Sequence, residues 1–377
     1  MRSFKVLCVC LLLLFALNTA CCAEEAEETD YYSSFYQSSG ADELKDDLPD
    51  NVREYLNSAG IDASDYNSML SASPQKIAEM FMDAARGSFD EPIKDMIVIA
   101  GLVLLAGIMK SVAGLENFSA PLNIAVGCAV AAGVFASSAR VISEGVSAVS
   151  MISDFMIALI PVLAGVITAC GNPTLALTYN SLVLAAAQTV SQLAENIVIP
   201  LCGAFLAFGV SASLSPDLKL TKLSELIKKT AVGTLSFITA AFSALLGLKS
   251  LLAGSADGLV SKGVRLALSS AVPIVGGALS DAYSSIVGSV ALLKNTVGVF
   301  AVLAVLLIAL PIVVQLTVRI LLLKLLGVLS GSMGDDTTGE VLDTLGSALT
   351  VINSVVIFST ALFIISTGLV ISIKTTV

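Results

Sequence analysis

From about residue 95 to residue 373 the chain alternates long apolar runs with short polar stretches. Eight candidate spans emerge, at about 95–113, 121–142, 151–170, 177–214, 231–253, 264–292, 296–327 and 349–373. Most reach the roughly 18 to 20 residues needed to cross a hydrocarbon core. The expected fold is therefore an all-α polytopic membrane protein with about seven to nine membrane segments, at residues 94–377. The run at 177–214 is too long for one simple span: as a helix it would exceed about 50 Å, so it either kinks at Pro200 or crosses twice.

The ends of the chain read differently. Residues 1–23 combine Arg2 and Lys5, an apolar stretch from Val6 to Leu17 and small residues, the layout of a secretory signal peptide. Thr19-Ala20-Cys21 offers the rival reading of a lipid-modified cysteine, against which Asn18 stands where leucine is usual. Under either reading, residues 24–93 are exported. Their acidic, Ser/Tyr-rich start is too polar to form a core and is expected to be disordered. Two short helices follow. Pro49 and Asp50 open the first, which Gly60 ends; Ser73 caps the second, with Pro74 in its first turn and Gly87 as its stop. Ile77, Met80, Phe81 and Ala84 form the second helix's apolar stripe, which fits a cap on the membrane or a docking surface equally well.

Within the apolar region "IPVLAGVIT" (Ile160 to Thr168) matches "VPIVGGALS" (Val272 to Ser280) as apolar-Pro-apolar-apolar-small-Gly-apolar-apolar-hydroxyl. Pro200 follows Pro161 by 39 residues and Pro311 follows Pro273 by 38, which suggests internal repeats at 120–230 and 232–345. A proline inside a helix removes a backbone hydrogen bond, a loss tolerated in lipid only where neighbours or a watered cavity satisfy the freed carbonyl. Pro161, Gly165, Pro200, Pro273, Gly277 and Pro311 are thus candidate helix breaks, with the alternative of packing kinks in which the glycines let helices approach.

Polar residues inside apolar runs sharpen the picture. Arg140, Asp154, Glu195, Lys249 and Arg319 each cost about 2.5 to 3.5 kcal/mol at a helix centre, so they should face protein or water. Gln188, Gln192 and Glu195 share one helix face and, with Asp154, are the pore-lining candidates; a buried polar seam is the alternative. Arg140 and Lys249 read as snorkelling near span ends. The basic loop Lys219 to Lys229 should be cytoplasmic, which demands an odd number of crossings before it and favours a double crossing of 177–214.

Composition narrows the function classes. The 377 residues are 56% hydrophobic and 13% charged, and the segment from Glu24 to Asp50 holds ten acids against one base, Lys45. Histidine is absent, which removes the commonest general base and metal ligand. Nor is there a basic groove for nucleic acid, a GxxxxGK[ST] loop for nucleotide or a metal-binding cysteine spacing, so no cofactor, metal or nucleic-acid partner is expected. Asp154 and Glu195 are the one pair an intramembrane enzyme would have to use, and an enzyme is not the expected class.

The leader, "GSFDEPIKD", "LIPVLAGVITACGNP", "PDLKLTKLSELIKK", "ADGLVSKGVRLALSSAVPIVGGALSDA", "LLKNTVGV" and the "GD…GEVLDTLG" stretch, in this order, resemble the stage III sporulation protein AE family of endospore-forming bacteria. The resemblance implies a multi-pass protein of the mother-cell (outer forespore) membrane. It implies a place in the channel complex joining mother cell and forespore, with the other stage III A-operon proteins and, through the complex, stage II sporulation protein Q as partners. Two roles are open on this reading: a transport conduit, or a non-conducting scaffold that anchors ring-forming partners.

Overall fold

The computed structural model describes residues 28–65, 68–69, 73–112, 119–170, 172–193, 196–197, 199–214 and 276–372, with isolated positions between 226 and 244. The leader, Glu195, Lys249, Pro273 and most of 215–275 lie outside the described residues. The described residues form helices and turns without a strand.

Residues 28–65 and 73–88 are folded. Helix α1 (Glu28–Ser38), a 3-10 turn (Glu43–Lys45), α2 (Asp50–Ser58) and α3 (Pro74–Gly87) share a small apolar core. From residue 28 onward this corrects the expectation of disorder over the acidic, Ser/Tyr-rich stretch. Tyr32 and Tyr36, one turn apart, are both buried and stacked at 6.2 Å, and the Tyr32 hydroxyl donates to the Ala63 carbonyl at 2.6 Å. Aromatic rings supply the apolar area that an acidic composition conceals, with Leu44, Leu48, Val52, Leu56 and Ile61 completing the core. Two bases of this unit serve it internally. Lys45 pairs with Asp62, and Arg53 donates to the carbonyls of Lys45, Asp46 and Leu48. The Ser73 cap forms as expected, its hydroxyl accepting from Lys76 N at 3.3 Å, and Met80 and Ala84 are buried on the α3 stripe.

Beyond this unit, the described residues form six longer helices: α4 (Asp90–Val112), α5 (Ser119–Ala169), α6 (Pro173–Leu193), α7 (Ile199–Leu214), α8 (Gly276–Ser332) and α9 (Asp336–Ser372). α5 takes up both the 121–142 and 151–170 runs, and α8 continues through the boundary between 264–292 and 296–327. At about 1.5 Å per residue, α5's 51 residues reach about 76 Å and α8's 57 about 85 Å. Among the described residues, three helices are long and apolar enough to cross a membrane: Cys128–Ala169, Gly288–Ser332 and Asp336–Ile371. The helix runs on through Pro161 and through Pro311, so neither interrupts it, whereas Pro200 is the second residue of a new helix, where its missing N–H costs least.

α8 and α9 form the central antiparallel hairpin. Gly334, at φ +81°, turns the chain, and Asp335 caps α9 by accepting from Thr338 N at 3.2 Å. The arms touch at their backbones just beyond the turn: a Cβ on Gly339 would stand 3.0 Å from the Gly327 carbonyl oxygen. α5 packs along both arms, with Gly145 between Leu316 and Ile352. α6 folds back on α5 through a turn in which buried Asn172 donates to the Cys170 carbonyl at 3.1 Å. α7 packs against α9, and among the described residues α6 and α7 do not pair as the arms of a tight hairpin would. Cys170 and Cys202 are buried, whereas Cys128 is exposed.

Two outcomes are expected. Gly339→Val should wedge α8 from α9 and lower the thermal midpoint of the detergent-solubilised protein, whereas Gly368→Ala, with open space around it, should not. Burial alone would raise the Asp62 carboxyl, but its bonds to Lys45 and Ser64 and the Lys45 charge hold it below its ordinary value. A carboxylate lowered in the folded state stabilises above its unfolded pKa of roughly 3.9, and that contribution vanishes as pH falls through the folded pKa. Proteolysis of the α1–α3 unit in membranes should therefore speed up as pH drops below that range, and Asp62→Asn should lack this component.

Candidate functional site

The polar and helix-break candidates fall mainly on two neighbouring helices. On α5, Asp154, Pro161, Gly165 and Thr168 occupy one exposed stripe, and a side chain added at Gly165 would enter open space. On α6, Ser181, Ala185, Gln188 and Gln192 line the exposed face. Since α6 folds back on α5, Asp154 and Gln188, each 17 residues from position 171, stand at one height. Glu195 and Pro273 lie outside the described residues; Gly277 sits in the first turn of α8, and Pro311 is half-buried within it. The described part of the polar stripe thus faces outward, and the described residues do not enclose it.

The densest chemistry lies elsewhere, where α4, α5 and α8 meet. Arg319 on α8 is fully buried, and its Nη2 donates to Asp95 Oδ2 on α4 at 2.7 Å. Arg140 on α5, about half exposed, pairs with Glu91 on α4, lies 3.4 Å from Glu144 one turn on, and stands 4.0 Å from Asp95. Three carboxylates and two guanidinium groups thus form one network that runs from solvent to the interior. Arg140 is accordingly a member of an ion-pair cluster and not a lone snorkelling side chain. The buried end is incompletely satisfied: Arg319 Nε and Nη1 and the Gln315 Oε1, one turn below, have no hydrogen-bond partner among the described residues. Taking a guanidinium out of water costs several kcal/mol, which a single well-formed pair offsets only in part.

The sequence alone singles out Arg140 and Arg319 but not Glu91, Asp95 and Glu144. A signal is nonetheless present. Glu91 and Asp95 at the mouth of the first apolar run, and Arg140 and Glu144 at the end of the second, are both i, i+4 pairs, which place two charges on one helix face. If those helices are antiparallel neighbours, the pairs meet; Gly133 facing Leu102 shows that they are.

Breaking one partner of the buried pair should cost more than removing both. Asp95→Asn or Arg319→Met alone should destabilise by about 3 to 5 kcal/mol, while the double variant recovers most of the loss, measured by detergent thermal melts and steady-state level in membranes.

The sequence model of Stage III sporulation protein AE matches residues 64–374. A relative of that name from Bacillus subtilis (strain 168) is 26% identical over 161 residues, covering 43% of this chain and 40% of the relative. No solved structure matches. With the match reaching from just before α3 through the charge cluster to the end of α9, the chain belongs to the stage III sporulation protein AE family.

Proposed function

We propose that this sporulation protein is a membrane component of the channel complex between mother cell and forespore, acting in the mother-cell (outer forespore) membrane as part of a transport conduit. The observation that carries this reading is the outward polar face of the α5–α6 pair, where Asp154 and Gln188 stand at one height and Gln192 lies one turn beyond Gln188. Acids and amides on the outside of an apolar bundle call for water or a polar partner, since lipid would leave them unsatisfied. The path is completed by whatever covers that face, a second copy or the other stage III A-operon proteins, with stage II sporulation protein Q reached through the complex. No catalytic step is assigned, because Asp154 stands in the open with no general base among its described contacts.

A scaffold role is the second reading, supported by the folded exported unit, which is seated on α8 and offers partners a rigid surface. The two separate on bulk. Asp154→Trp, Gln188→Trp and Gln192→Trp should each obstruct a conduit, lowering late forespore gene expression while protein level and complex assembly stay normal. Normal expression in all three would exclude the conduit and leave the scaffold.

A further inference from the structure

The two ends of the long helices show the outside different faces. At the α4 end, large apolar side chains point outward, among them Ile97, Val98 and Leu105 on α4, Phe135 on α5, and Leu325 and Val328 on α8. At the opposite end the outward faces of α5 and α6 carry Asp154, Gly165 and Thr168, then Ser181, Gln188 and Gln192, with Met151, Ile157 and Leu177 as apolar exceptions. The apolar stretch of α8, 45 residues from Gly288 to Ser332, would be about 68 Å long, roughly twice a hydrocarbon core of about 30 Å. One bilayer cannot surround both ends.

We propose that lipid surrounds only the α4 end, and that the other end of α5, α6, α8 and α9 stands outside the membrane as an apolar-cored lobe on the side of the exported segment. Four independent features place the boundary. Exposed apolar positions run from Phe89, the residue before α4, to Ile108 on it, a rise of about 29 Å, which matches one hydrocarbon thickness. The charge cluster lies at the start of that band, with Arg140, Glu91 and Glu144 about half exposed, as side chains at headgroup level would be. Below it, α1 and α3 pack on α8, with Phe81 against Val302 and Leu306, so protein covers the helix where a single long span would need lipid. Finally, α3 ends only three residues before α4 begins, so residues 28–88 and this lobe lie on the same side.

Lipid acyl chains are the occupant that fits the α4 end. Its outward surface is Leu, Ile, Val and Phe, and the band's length is that of a bilayer and not of a protein contact. The opposite face suits water, and it carries the polar stripe whether or not that stripe conducts. The long helices then cross the membrane and continue beyond it, which removes the need for separate spans within α5 and α8.

The test is spin-label accessibility in full-length protein reconstituted into phosphatidylethanolamine and phosphatidylglycerol vesicles, with Cys128, Cys170 and Cys202 replaced. Ile97→Cys, Leu105→Cys and Leu325→Cys report on the proposed lipid band; Ile157→Cys, Ser181→Cys and Gln188→Cys report on the lobe. All six side chains are exposed, so the labels need no repacking, and loss of one variant leaves two at each end. The first three should collide preferentially with dissolved oxygen, and the second three with a water-soluble nickel complex, the ratio reversing severalfold between the sets. Oxygen-dominated ratios at both ends, or a reversed assignment, would overturn the placement.

Discussion

A guanidinium buried beside an apolar core has few tolerable positions, and in this chain one carboxylate determines where it sits. Arg319 is inaccessible to solvent, and among the described residues Asp95 is its one close charged partner. The pair fixes the register of α4 on α8, because sliding either helix by a turn would strand both charges. α4 in turn fixes its neighbours. Arg140, itself paired with Glu144 one turn on, closes on Glu91 from α5, and α1 and α3, on the N-terminal side of α4, are held against α8. The cluster thus ties α4, α5 and α8 to one another and, through α4, to the unit of α1 to α3.

Away from the cluster, the fit of the bundle comes from glycine and small side chains. Apolar helices gain little from one another when lipid tails are as apolar as leucine, so close backbone approach and the resulting dispersion contacts decide which surfaces meet. The contact of Gly327 with Gly339 sets the spacing of the central hairpin, and Gly145 lets α5 settle between its arms. These positions explain why a chain so rich in leucine and valine still packs in one way.

Much of this is legible in the sequence and some is not. Periodicity and capping residues locate α2 and α3, since Pro49, Ser73 and Gly87 act locally and need no tertiary context. The helical class follows from apolar runs alone. Span counting does less well, because polar residues at 143–150 and near 294 look like loop boundaries when they are surface or buried positions on an unbroken helix. The acidic count of residues 24–50 points to disorder, yet stacked Tyr32 and Tyr36 outweigh it by supplying a core. Helical spacing is enough to put Gln188 and Gln192 on one face; that this face points out of the chain depends on which side α5 occupies, a tertiary fact. The ion-pair cluster requires knowing that two i, i+4 pairs on different helices are neighbours.

Whether the Asp95–Arg319 pair holds α4 in register on α8 can be read directly in membranes from a disulfide between the two helices. A Cβ on Gly107 would abut the Met333 side chain, so Gly107→Cys with Met333→Cys, in a background lacking Cys128, Cys170 and Cys202, should cross-link on mild oxidation. If the pair sets the register, cross-linking is efficient with Asp95 intact and falls markedly when Asp95→Asn is added. Equal cross-linking in both backgrounds would contradict this role, because α4 would then be held by packing alone.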